Sequence, residues 1–167
     1  MELYILRHGK AQEHTQNFAG DSKRELTEVG KKELCCIAKA IKNLEIDVDD
    51  IISSPLIRAK QTAEIIIKHV KSKKKSIKIW NELKPEIDTE KTVKKLTTLK
   101  PDSSIMLVGH EPHLTDLISK IISNDGTVDI SLKKGGLVHI ICNIAKGKIS
   151  GSLRSIMTPK QLKKLCR

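Results

Sequence analysis

Two periods of apolar residues alternate along this chain. Short, nearly continuous runs read as strands: Leu3 to Leu6, Ile51 to Ser53, Ile77 to Trp80, Ser104 to Val108 and Gly136 to Cys142; the more polar Lys148 to Ile156 reads as a further strand. Between them the apolar positions recur every three or four residues, as in amphipathic helices. Leu34, Ile37, Ala38, Ile41 and Leu44 make one stripe, in a helix capped by Thr27. Ala59, Ala63, Ile66, Ile67 and Val70 make a second, with Ser54 as the expected cap and Pro55 at the first helical position. Val93, Leu96 and Leu99 make a third, and Leu114, Leu117, Ile118 and Ile121 a fourth, which Pro112 opens. Ala145-Lys146-Gly147 reads as a hairpin turn between the last two strands, and Thr158-Pro159 starts a short final helix.

Strands alternating with helices predict an α/β fold: a mostly parallel central sheet with helices on both faces, in three layers. No repeat, linker or low-complexity tract divides the 167 residues, so residues 1–167 are expected to form one domain. In open parallel sheets, sites lie beyond the carboxyl ends of the strands. Three polar stretches fall there: Arg7-His8-Gly9, Ser53-Ser54-Pro55 and Gly109-His110-Glu111. Arg58 follows the second by less than one helical turn. For Arg7 and His8 to serve one site, the first strand must end at this point, because neighbours in a strand face opposite ways.

Composition narrows the partners. Lys and Arg number 31 against 20 Asp and Glu, a net charge of +11, which favours anionic partners. The bulk of these lysines reads as solvated surface, Lys10 among them, and Lys71 to Lys75 as a basic loop. Aromatic residues are only 2%, too few for the stacking platforms that bind single-stranded nucleic acid. No apolar run reaches the ~18 residues a membrane-spanning helix needs. Cys35, Cys36, Cys142 and Cys166 show no C-x-x-C spacing and are expected to be reduced thiols in a cytoplasmic protein. No targeting segment is expected before the first strand.

The groups gathered at the strand ends suit a phosphoryl group. Guanidinium forks and helix starts match its charged oxygens. A neutral imidazole can attack phosphorus, and a second can donate to its oxygens. Taken singly, each residue has an ordinary alternative: a surface Arg-His pair, an exposed helical Arg58, a His110 that closes a loop. Their joint placement favours the site. His14, His69 and His139 read as loop, helix-end and strand-face residues. His113 stands at metal-ligand spacing from His110 but lacks a third ligand. Asp47, Asp49 and Asp50 read as a polar turn before a strand rather than a cation site.

Leu6-Arg7-His8-Gly9, Ser53-Ser54-Pro55-Leu56-Ile57-Arg58-Ala59-Lys60-Gln61-Thr62-Ala63 and Val108-Gly109-His110-Glu111-Pro112 resemble the histidine phosphatase superfamily, the phosphoglycerate-mutase-like group. Arg24-Glu25-Leu26-Thr27-Glu28-Val29-Gly30, Glu82-Leu83-Lys84-Pro85 and Lys134-Gly135-Gly136 resemble its SixA-type phosphohistidine phosphatase subgroup. The resemblance implies a phosphoglycerate-mutase-like fold and transient phosphorylation of His8. It implies that Arg7, Arg58 and His110 bind the phosphoryl oxygens, with Gly9 and Arg24 also at the substrate. It implies no metal or cofactor, and a phosphoprotein partner carrying phosphohistidine. Nucleic acid and membrane are not expected as partners, and the chain is expected to be a monomer.

The resemblance also calls for a Glu after the third strand as general acid, and here Glu82 and Glu86 are both candidates. The need depends on the leaving group. Alkoxide is about as basic as hydroxide from water, at a pKa of ~15.7. Imidazole, with a conjugate acid near ~6.5, departs far more readily. A site without a firmly placed acid therefore suits phosphohistidine on a protein. The alternatives are a small-molecule phosphomonoesterase on the same fold and a non-enzymatic binder of anionic partners.

Overall fold

In β1 (Glu2–Arg7) the side chains of Tyr4 and Leu6 enter one apolar core and those of Leu3 and Ile5 enter another. β6 (Ser104–Gly109) repeats the division, with Met106 and Val108 in the first core and Ile105 and Leu107 in the second. Strands buried on both faces must be apolar at every position, which is why these segments read as unbroken runs. The computed structural model describes residues 1–13, 21–72, 76–123 and 127–166. The expectations for His14 and for Lys73 to Lys75 lie outside the described residues.

The remaining elements follow in order: α1 (Glu28–Asn43), β2 (Asp47–Val48), β3 (Asp50–Ser53), α2 (Ile57–Ile67), β4 (Lys71–Ser72), β5 (Ile77–Ile79) and a 3-10 turn at Asn81–Leu83. Then come α3 (Thr89–Leu96), α4 (His113–Ser123), which follows β6, β7 (Leu137–Ala145), β8 (Lys148–Met157) and α5 (Pro159–Lys164). Six strands form one sheet in the order β5-β3-β6-β1-β7-β8. The first four are mutually parallel; β7 runs antiparallel to β1 and β8 to β7. Helices α1, α2 and α5 pack on one face, α3 and α4 on the other. Leu114, Leu117, Ile118 and Ile121 of α4 are all fully buried. Each such side chain contributes about 1.5–3 kcal/mol relative to exposure. No helix among the described residues is long and apolar enough to cross a membrane.

Several local expectations change. The helix after β3 begins at Ile57, with Leu56 rather than Ser54 at the cap position and no side-chain cap. Ser54 stands two residues before that position; its hydroxyl accepts from Leu56 N–H at 3.4 Å and lies 2.9 Å from His110 Nε2. Leu44 leaves the buried stripe of α1 because it is the residue after the last helical turn, 39% exposed. Asp47 and Val48 do not form a simple turn: they pair with Lys71 and Ser72 in a two-stranded parallel ribbon. Asp50 opens β3 and binds Lys78 of β5 at 2.8 Å. The hairpin turn narrows to Lys146-Gly147, both at positive φ, between the ends of β7 and β8.

Candidate active site

Parallel register sets the three motifs at one level. Arg7 pairs with Gly109 and Ser53 with Val108, so β3, β6 and β1 end side by side. Backbone bonds carry the register past the strand ends. His8 N–H donates to the Gly109 carbonyl at 3.1 Å and Ser54 N–H to the Val108 carbonyl at 2.9 Å. From the other side, Gly135 N–H donates to the carbonyls of Arg7 and His8, and Arg7 N–H to Gly136. The Lys134-Gly135-Gly136 turn thus closes the flank of the site.

Helix α2 ties the remaining loops to this edge. Thr62 Oγ1 accepts from Gly9 N–H at 3.2 Å and donates to the Arg58 carbonyl at 2.7 Å. Gln61 Oε1 accepts from Leu26 N–H at 2.8 Å. Arg58 donates from Nη1 to the Asp21 carbonyl at 2.8 Å and from Nη2 to Asp21 Oδ2 at 3.0 Å. Two glycines allow close packing here. A Cβ on Gly9 would stand 2.5 Å from Leu34 Cδ1, and one on Gly30 would overlap the Lys10 carbonyl oxygen. Gly30 lets α1 lie directly on the chain that leaves His8.

The result is a cavity of about 800 Å³ whose lining includes Arg7, His8, Arg24, Arg58, His110 and Glu111. The two imidazole rings have centroids 4.9 Å apart and are tilted by 50°. His8 Nδ1 lies 2.7 Å from the Gly9 carbonyl oxygen. A carbonyl only accepts, so Nδ1 carries the proton and Nε2 keeps its lone pair. Burial pushes the His8 imidazole down to about 3; the Gly9 bond opposes this, and Arg58, Arg7 and Lys134 add to it. Burial likewise lowers His110, to about 2, with His8 and Arg58 next in importance. Both rings are neutral at pH 7.

Among the described residues, four buried polar atoms without a hydrogen-bond partner belong to residues lining this cavity: Arg7 Nε, Arg58 Nε, His110 Nδ1 and Glu111 Oε1. An unsatisfied buried polar group costs about 1–3 kcal/mol, more when charged. Three of these atoms can donate to an anion. A larger hollow of about 980 Å³ opens at the opposite end of the sheet, against Asp47, Asp49, His69 and Ser104. It contains no arginine and no paired imidazoles.

Of the other expected residues, Gly9 contributes backbone, and Arg24 lines the cavity while its guanidinium binds Asp21 at 2.7 Å and the Gln12 carbonyl. Glu86 lines the cavity; Glu82 does not, and binds Lys95 at 2.7 Å, which holds its carboxylate below the ordinary range. His113 is a structural residue, placed between Thr92 Oγ1 and the Ile87 carbonyl. Among the described residues, no group of three or more His, Cys, Asp or Glu side chains is arranged to hold a metal.

Asp21 went without a functional assignment in the sequence, since nothing in its local context marks it. Burial alone would raise its carboxyl, but Arg24 and Arg58 hold it below the usual range. Glu111, Lys84 and Lys134 also line the cavity, each standing inside a motif but carrying no recognisable role there.

Comparison with known proteins gives the family and the fold. Residues 3–102 match the family model for the histidine phosphatase superfamily (branch 1). An uncharacterized protein of Picosynechococcus sp. is 30% identical over 148 residues, 87% of this chain and 88% of the relative. Phosphohistidine phosphatase SixA of Escherichia coli is 36% identical over 64 residues, 38% of each chain. The solved structure of the protein histidine phosphatase SixA complexed with tungstate superposes with a TM-score of 0.84, covering 97% of this chain and 99% of that one at 24% identity.

Proposed function

The chain belongs to the histidine phosphatase superfamily, and from that premise we propose that it removes a phosphoryl group from phosphohistidine on a protein by way of a phosphorylated His8. The observation that carries the reading is the set of buried, partnerless donors around a neutral imidazole: Arg7 Nε, Arg58 Nε and His110 Nδ1 beside His8.

His8 Nε2 attacks phosphorus while Nδ1–H stays bound to the Gly9 carbonyl. That bond holds the ring in the nucleophilic tautomer and stabilises the positive charge that develops as Nε2 bonds to phosphorus. Arg7 and Arg58 follow the charge on the phosphoryl oxygens, and desolvation strengthens each contact. In the tautomer in which the Ser54 hydroxyl donates to His110 Nε2, 2.9 Å away, the proton of His110 sits on Nδ1, for which no partner is found among the described residues. His110 then acts as a neutral donor to the same oxygens. Water attacks the phosphorylated His8 in the second step and releases phosphate.

The substrate class rests on the leaving group and on the SixA relatives. A neutral imidazole departs easily from phosphorus, and a surface cavity rimmed by Arg24, Lys84 and Lys134 admits a side chain borne on a protein. The tungstate that a SixA structure holds is itself a tetrahedral oxyanion. A cytoplasmic setting belongs to the same proposal and agrees with four free thiols. The test is incubation of a [32P]phosphohistidine-bearing protein with wild type and His8→Ala. Phosphate release by wild type alone, with label passing transiently onto His8, is the expected result. Equal release by His8→Ala would refute the mechanism. Salt-sensitive binding without release would favour a non-enzymatic binder.

A further inference from the structure

We propose that Glu111 is the proton donor to the leaving group, and that it equips this site to hydrolyse oxygen phosphomonoesters as well as phosphohistidine. The inference rests on the phosphatase reading above and deepens it.

The geometry singles out Glu111 among the acidic residues near the site. It directly follows His110 and lines the same cavity as His8 and Arg7. Its Oε2 is anchored by Thr115 Oγ1 at 2.7 Å, a hydroxyl that the Pro112 carbonyl shares at 2.9 Å. Its Oε1 is buried and has no hydrogen-bond partner among the described residues. A proton on Oε1 is therefore bound to no protein acceptor, and its transfer to substrate breaks no existing bond. The surroundings favour the protonated form. Burial raises the carboxyl above its ordinary value, and Asp116 adds to this; Thr115 and Arg7 oppose it without reversing it. The other titratable groups on the cavity lining are His8, His110, Asp21, Glu86, Lys84 and Lys134, together with Arg7, Arg24 and Arg58. Glu82 is held as a carboxylate by Lys95, outside the cavity lining.

The chemistry balances in two steps. The His8 Nε2–phosphorus bond forms as the phosphorus–oxygen bond to the leaving group breaks, and the Glu111 proton passes to that oxygen. Water then attacks phosphorus, the Nε2–phosphorus bond breaks, and the water proton returns to Glu111. An alkoxide cannot leave well without that proton, whereas a p-nitrophenolate can. General acids contribute typically 10²–10⁴-fold.

The test compares wild type, Glu111→Gln and Glu86→Gln on three substrates: glycerol phosphate, p-nitrophenyl phosphate and a phosphohistidine protein. Wild type is expected to hydrolyse all three. Glu111→Gln is expected to lose on the order of 10²–10⁴-fold in kcat on glycerol phosphate but less than about tenfold on p-nitrophenyl phosphate. Wild-type kcat on glycerol phosphate should fall as pH rises through the Glu111 ionisation, while that on p-nitrophenyl phosphate should not. Glu111→Asp, which keeps an acid, should restore part of the alkyl activity and covers the case of a poorly folded Gln variant. Equal losses on all substrates would overturn the assignment, as would the selective loss appearing in Glu86→Gln instead. Wild type that turns over phosphohistidine but not glycerol phosphate would overturn it and leave the phosphatase reading standing. Inertness to all three would overturn both.

Discussion

Thr62→Val is a near-isosteric change that tests how the nucleophile is held. Thr62 is fully buried, and its hydroxyl is the partner of Gly9 N–H, one residue from His8. Valine keeps the volume but offers no acceptor, so a buried N–H is stranded at a cost of about 1–3 kcal/mol. In a chain of this size each kcal/mol moves Tm by about 2–4 °C, so a fall of roughly 2–12 °C is expected. Thr62→Ser keeps both hydrogen bonds and removes one methyl, at about 1 kcal/mol. Catalysis should separate the two variants further. If Gly9 shifts to escape the stranded bond, His8 shifts with it, and misplacement of about 1 Å can cost 10²-fold. The assay is a urea or thermal melt together with kcat on p-nitrophenyl phosphate. Serine close to wild type in kcat, with valine tenfold to a hundredfold lower and less stable, is the expected pattern. Valine as stable and active as serine would refute the role of this hydroxyl in holding the Arg7-His8-Gly9 segment.

Gly30→Ala should destabilise by several kcal/mol, although alanine is about 1 kcal/mol the better helix former, because its Cβ overlaps the Lys10 carbonyl oxygen; a raised urea midpoint would contradict the packing described. His8 titrates near 3 in the fold and near 6.5 when unfolded. Between those values the unfolded state binds more protons, so stability rises with pH and is lost as pH falls from 6.5 towards 3. At pH 4.5 the loss from His8 alone is roughly 3 kcal/mol; urea midpoints against pH should show a shallower acid slope in His8→Asn, and an unchanged or steeper slope would refute the assignment. Thr158→Ala removes a capping box with Gln161 at the start of α5 and should cost about 0.5–2 kcal/mol, read by thermal melt; no change in Tm would show that α5 is held without its cap.

Local pattern alone determined most of the scaffold. Runs such as Ile105 to Val108 must be buried on both faces, and the stripe through Leu114 and Ile121 must face a core, because period and polarity are properties of the chain itself. The rule that parallel sheets present their carboxyl ends to ligands then brings Arg7, His8, Arg58 and His110 to one edge from the sequence alone. What lay beyond reach was whatever depends on contacts between distant residues. Ser54 looks like a helix cap in sequence, yet its hydroxyl meets an imidazole 56 positions away. Asp21 binds Arg58 across 37 positions, and Thr62 holds Gly9 across 53. Glu82 and Glu86 are equivalent in the sequence; only packing sends one to Lys95 and the other to the cavity. The state of His8 and Glu111 is decided the same way, since desolvation is set by how the whole fold excludes water and leaves no mark on neighbouring residues in the chain.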